Sequence, residues 1–208
     1  MKYDRTLKRW ELALMAGTLC ALLWGFWLGE EQTALADRVI RFHVIANSDS
    51  QWDQALKLQV RDAVLAETER FYPEGADLET AREALSAHLG ELARAGRETA
   101  EAAGYDYPVT ASLEKCWFPT KEYDGFALPA GEYTALRVVI GAGEGQNWWC
   151  VAFPPLCLGA ASGTVEDAAA AGYFSEDQAA LITEEDQGYV LKFKSMELLG
   201  QLQGFLFS

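Results

Sequence analysis

Few residues in this chain are of the kinds that do chemistry, so each can be weighed in turn. There are two histidines, His43 and His88. His43 precedes Asn47 and Asp49 by a strand end and a turn. An imidazole oriented by a carboxylate is what a general base requires. No serine or cysteine stands out as the nucleophile such a base would serve, so a His43/Asp49 pair is only half of a hydrolase site. His88 lies between Leu85 and Leu92 on the flank of an apolar helix face, where a structural role is expected. Asp49 and Asp53 are four residues apart, yet both fall at a helix start, where carboxylates are favourable without a metal. The HxxxH, CxxC and four-ligand spacings of metal sites do not occur, and no cofactor is expected.

Gly141-x-Gly143-x-Gly145 resembles a phosphate loop, but a phosphate loop must open a helix. Asn147-Trp148-Trp149 follows instead and is strand-like, and Glu144 would repel phosphate, so a hairpin turn is expected. The stretch NWWCVAFPPLC, residues 147–157, sets two adjacent tryptophans beside two cysteines. The spacing of Cys150 and Cys157 across Pro154-Pro155 provides neither the tight loop nor the helix N-terminus of a redox pair. Where oxidation is permitted, these two are disulfide candidates. Closing that loop would stabilise the fold by about 2.5 kcal/mol on the loop-entropy model. Two buried free thiols are the alternative.

The compartment is therefore decisive. Lys2, Arg5, Lys8 and Arg9 form a basic start, and Leu12 to Gly29 is a run without charge. As a helix the run is about 27 Å long, close to the roughly 30 Å of a hydrocarbon core. It reads as an export signal or membrane anchor that places the remainder outside the cytoplasm. Ala34-Leu35-Ala36 has the small-x-small form of a signal-peptidase site, whereas Trp24, Phe26 and Trp27 at the outer end suit a retained anchor. Export permits disulfides. Outside the apolar run it leaves three cysteines, of which Cys116 is expected to be the free one. The net charge of −14 belongs wholly to residues 37–208, because residues 1–36 carry four basic and four acidic side chains. So acidic a domain excludes nucleic acid as a partner.

The elements that must position these residues follow from periodicity. In RVIRFHVIA (38–46), Ile40, Phe42, Val44 and Ala46 share an apolar face, and Val39, Arg41, His43 and Ile45 share the other. Arg41 and His43 should then project away from the core. Asn47 to Ser50 are all N-cap residues, and Ser48 with Gln51 fits a capping box. The helix they open should end before Pro73, with Trp52, Leu56, Val60, Ala63 and Val64 on its apolar face. Asp77 caps a second helix expected to reach about Ala103, weakened at Gly96. Strands are expected at Val109–Phe118, Tyr133–Gly141 and Trp148–Phe153, the second preceded by a Pro129-Ala130-Gly131 turn. Residues 159–174 read as loop or weak helix, Ser175–Glu185 as a short helix, Tyr189–Lys194 as a strand and Met196–Phe207 as a last helix. The pattern is that of an α+β domain, residues 37–208: an antiparallel sheet with helices packed on one face, preceded at residues 1–36 by the signal peptide or membrane helix.

Three colinear blocks then carry a resemblance. RFHVIANSDSQWDQALKLQVRDAVL (41–65), FPTKEYDGFALPAGEYTALRVVIGAGEGQNWWCVAFPPLC (118–157) and ITEEDQGYVLKFKSMELL (182–199) resemble the stage II sporulation protein R family. The resemblance implies a signalling protein rather than an enzyme. It would be exported into the space between the two membranes of the sporangium, where it would trigger a membrane-embedded aspartyl protease. That protease would in turn process a sigma-factor precursor. The partner-contact candidates are Arg41, His43, Asn47, Asp49, Trp148 and Trp149. Against this, the tryptophans could fill a core and Asn47 to Asp49 could simply cap a helix. The rival functions are an exported cell-wall hydrolase using His43 and Asp49, and a passive envelope-binding module.

Overall fold

The computed structural model describes residues 9–72, 76–123, 126–154, 156, 165–170, 172–175, 179, 182 and 183; side chains 9, 21–33, 166 and 167 lie outside that description. The elements are α1 (Arg9–Ala36), β1 (Ile40–Ile45), α2 (Gln51–Phe71), α3 (Leu78–Ala87), α4 (Leu89–Ala102), β2 (Val109–Phe118), β3 (Lys121–Tyr123), β4 (Phe126–Leu128), β5 (Gly131–Ile140), β6 (Asn147–Phe153) and α5 (Val165–Ala170). The expected strand at 189–194 and last helix at 196–207 fall outside the described residues, as does most of the helix expected at 175–185.

The chain is α+β, but its main sheet is mixed rather than antiparallel. The strand order is β2-β5-β1-β6. β1 runs parallel to β5, with Ile40 opposite Thr134, and antiparallel to β6. β2 pairs antiparallel with β5 along all ten of its residues. A parallel pair needs a long crossover, and α2, α3, α4 and β2 supply it. β5 and β6, which read as a hairpin, are not neighbours, because β1 occupies the slot between them. The link 141–146 therefore spans two strand spacings, about 10 Å, over the end of β1. β3 and β4 form a separate two-stranded ribbon between β2 and β5. Strands of three residues are too short to show a period, so they were not expected.

The helices cover one face, as expected. Ile40, Phe42 and Val44 of β1 join Leu136, Val138 and Ile140 of β5 beneath Leu56, Val60, Val64, Leu85 and Leu92. Gly96 lets α4 lie this close: a Cβ there would sit 2.9 Å from Val109 Cγ1 and 3.2 Å from Val60 Cγ1. The expected single helix 77–103 is instead two. α3 ends and α4 begins at His88, whose Nδ1 lies 2.7 Å from the Ala84 carbonyl oxygen and whose ring stacks on Phe71 at 4.0 Å. Trp52, expected on the apolar face of α2, is 73% exposed. It belongs to the first turn of α2.

The other sheet face is also covered, which the sequence reading did not anticipate. Val39, Tyr133, Ala135 and Val151 are buried beneath Phe126 and Leu128 of the ribbon, Val165 and Ala168 of α5, and Leu35 and Ala36 at the end of α1. All six residues of β1 are consequently buried. Among the described residues no helix is long and apolar enough to cross a membrane. The uncharged run 12–29 extends into residues whose side chains lie outside the description.

Candidate functional site

The six sequence candidates fall at three places: Trp148 and Trp149 on β6, Arg41 and His43 along β1, and Asn47 and Asp49 beyond β1. Asn47 and Asp49 lie just past its C-terminal end. There the polar segment 47–50, the first turns of α2 and the link 141–146 meet. Ser50, not Ser48, caps α2, its hydroxyl accepting from the Asp53 amide at 3.1 Å. Ser48 instead donates to Asp53 Oδ2 at 2.5 Å, alongside Asn47 Nδ2 at 2.9 Å. These bonds from Ser48 and Asn47 hold the buried Asp53 carboxyl below its ordinary pKa.

The same segment grips the 141–146 link. Asn47 Oδ1 accepts from the Ala142 amide at 2.9 Å and Asp49 Oδ1 from the Gln146 amide at 2.7 Å. Glu144 and Gly145 donate to the carbonyls of Asn47 and Ala46. Gly141 has φ +59°, and a Cβ there would collide with the Asn47 side chain. Lys57, buried on α2, donates to the Gln146 carbonyl at 2.9 Å and to Gln54 Oε1 at 2.6 Å. Burial lowers its pKa, against the pull of Asp49. Asn47 and Asp49 thus hold the backbone of the link over β1. Sequence reasoning took Asp53 only as a helix-start carboxylate and missed Lys57. A Lys between Leu56 and Val60 on the buried stripe of α2 was the available signal.

Arg41 and His43 do not project into solvent; they are buried under the second core. Arg41 is 0% exposed. Its Nε donates to the Cys150 carbonyl at 3.2 Å and its Nη2 to the Tyr123 hydroxyl at 2.7 Å. The guanidinium carbon lies 4.4 Å from the ring centre of Phe118 and 4.9 Å from that of Tyr133. The charge is held by an aromatic box, with no carboxylate on it among the described residues. Burial raises the Tyr133 hydroxyl to about 12, against the pull of Arg41. The box was illegible in sequence because Phe118, Tyr123 and Tyr133 come from three separate strands.

His43, 7% exposed, stacks on Trp149 at 4.0 Å and meets Phe118 edge-on at 5.9 Å. Both ring nitrogens lack a hydrogen-bond partner among the described residues. Burial lowers its pKa. The nearby Asn147 side chain is the largest influence opposing this, with Glu114 behind it, while Arg137 and Arg41 push the same way as burial. Ser112, Arg137, His43 and Trp149 stand in one cross-strand row. The carboxylate in this neighbourhood is therefore Glu114, which pairs with Arg137 at 3.4 Å. No hydrogen bond joins His43 to Asp49, whose Oδ1 is engaged with the link. The acid–base pair is not assembled, and among the described residues no group of His, Cys, Asp and Glu could hold a metal ion.

Trp148 and Trp149 go to opposite faces, as adjacent strand residues must. Trp148 meets Phe42 edge-on at 6.0 Å in the helix-side core, with the Arg61 guanidinium 4.6 Å from its ring centre. Both tryptophans are half-buried. Cys150 is buried and not a free thiol, while Cys20 and Cys116 are free. Cys157, the partner expected for Cys150, lies outside the described residues. Burial and the neighbouring Glu114 raise the Cys116 thiol pKa.

What this defines is a mixed α+β domain whose polar motifs are built into its own scaffold. The chain belongs to the stage II sporulation protein R family, whose model matches residues 36–162. It is 39% identical over 140 residues to the stage II sporulation protein R of Bacillus subtilis (strain 168). That match covers 63% of this chain and 62% of the relative's length. No solved structure matches. Membership in this family supports a role in sporulation.

Proposed function

We propose that this protein is an exported, non-catalytic ligand. In this reading it acts in the space between the two membranes of the sporangium and activates a membrane-embedded aspartyl protease that processes a sigma-factor precursor. Family membership carries the sporulation role. The observation that favours a ligand over a hydrolase is that His43 and Asp49 are each engaged separately in the scaffold. A ligand of this kind must bind the active state of its receptor more tightly than the inactive one, since equal affinity shifts no equilibrium. A Cys150–Cys157 disulfide suits the oxidising side of a membrane.

Among the described large apolar residues, Trp52 is the most exposed, and exposed tryptophans anchor protein interfaces more often than most residues. It replaces the buried Arg41 and His43 as the leading contact candidate. Trp52→Ala should leave stability within about 0.5 kcal/mol of the parent, as a surface change does. It should also lower precursor processing in sporulating cells at least fivefold at an unchanged level of the protein. Full processing in that variant would remove Trp52 from the contact surface. Loss of processing in step with loss of the protein would make its role structural.

A further inference from the structure

An exported chain can lose its N-terminal segment at Ala34-Leu35-Ala36 or keep it. α1 runs unbroken to Ala36, and only Asp37-Arg38-Val39 separates it from β1. Every side chain from Leu12 to Cys20 is exposed, on all sides of the helix. A helix that is apolar all round needs hydrocarbon or a large core to cover it, and among the described residues the domain supplies no cover. The last turn is the reverse. Leu35 is 0% exposed, and Ala36 and Val39 are buried with it in the second core beside Phe118, Leu128 and Tyr133. The Arg38 amide donates to the Leu35 carbonyl at 3.0 Å, and Asp37 pairs with Lys115 of β2 at 3.6 Å.

We propose that α1 is retained: its last turn is part of the domain's core, the bond after Ala36 is closed to signal peptidase in the folded protein, and the domain is rooted in the membrane without a linker. The inference rests on the export reading above. Ala34 to Ala36 are helical, and Leu35 cannot reach a protease unless the second core opens. Cleavage then follows the population of that opened state. The rigid junction also sets orientation. Trp117, 57% exposed and two residues beyond Lys115, lies at the end of the sheet turned toward the bilayer, a depth that favours tryptophan. The grip of Asn47 and Asp49 on the 141–146 link lies at the opposite end of β1, turned away from it.

The test uses the full chain with a C-terminal epitope tag in a bacterial host with active signal peptidase, read by intact mass after fractionation. The expected product is one membrane-bound species carrying residues 1–36, its tag open to protease added from outside. An exported soluble species beginning at Asp37 overturns the proposal and leaves the export reading standing. A tag protected from external protease overturns the export reading, and the proposal with it. Leu35→Ser, which loosens the last turn, should raise the fragment beginning at Asp37 at least tenfold. A variant as intact as the parent overturns the protection assigned to burial.

Discussion

His43 is enclosed by Trp149 and Phe118, and its imidazole is held below the ordinary 6.5 chiefly by burial. As pH falls, the unfolded chain takes up this proton before the folded one. The stability tied to His43 is thus fully present above about pH 6.5 and is lost progressively below it. The thermal midpoint should fall between pH 7.5 and pH 5.5, and His43→Phe should fall less over the same interval. Equal slopes in the two proteins would falsify this account. Asn47 makes a different prediction, because it bonds both Asp53 and the Ala142 amide. Asn47→Ala leaves both without that partner and should cost about 1–3 kcal/mol in urea unfolding. A cost below about 0.5 kcal/mol would mean that water replaces the side chain without loss.

At the scale of elements, Gly96 sets how closely α4 approaches α2 and β2. Gly96→Leu places a side chain where Val109 and Val60 already stand. It should destabilise by about 1–3 kcal/mol, the usual cost of overpacking, and a neutral effect in thermal unfolding would show that α4 is free to shift. Much of this architecture was legible beforehand. The alternation of RVIRFHVIA is enough to place β1 and assign its faces, and Asp77 marks its helix start. Periodicity reports which face of a strand is apolar, but not which strand lies beside it. A glycine-rich link between two strand patterns reads alike whether it closes a hairpin or steps over a third strand. The fate of Arg41 and His43 was hidden for a related reason. Arg41 is covered by Phe118, Tyr133 and Tyr123 and His43 by Trp149 and Phe118, contacts between separate strands that no period in the sequence reports. The break at His88 is equally silent, since Leu85 and Leu92 keep helical spacing across it.

At the scale of the whole molecule, 31 acidic residues against 17 basic ones make the compact state repel itself. The ion pairs within α2, α3 and α4 do little against this, because those of Arg70, Arg82, Arg94 and Arg97 are exposed. Raising salt from about 10 mM to 200 mM, which shortens the screening length to below about 10 Å, should raise the thermal midpoint. A midpoint that is flat or falls with salt would place the surplus charge too far apart to matter.

The insertion of β1 between β5 and β6 also dictates an order of events. Under the export proposed above, the chain arrives N-terminus first, so β1 emerges long before either neighbour. Its parallel partner begins at Gly131 and its antiparallel partner at Asn147. For that interval an entirely apolar-flanked strand has both edges open, a state prone to wrong pairing. The helices α2 to α4 are local and can form at once, shielding one face but neither edge. The strand is safe only when Phe153 has crossed. A translocation arrest just short of residue 147 should thus yield a species that aggregates or binds holdase chaperones, while an arrest a few residues beyond 153 should not.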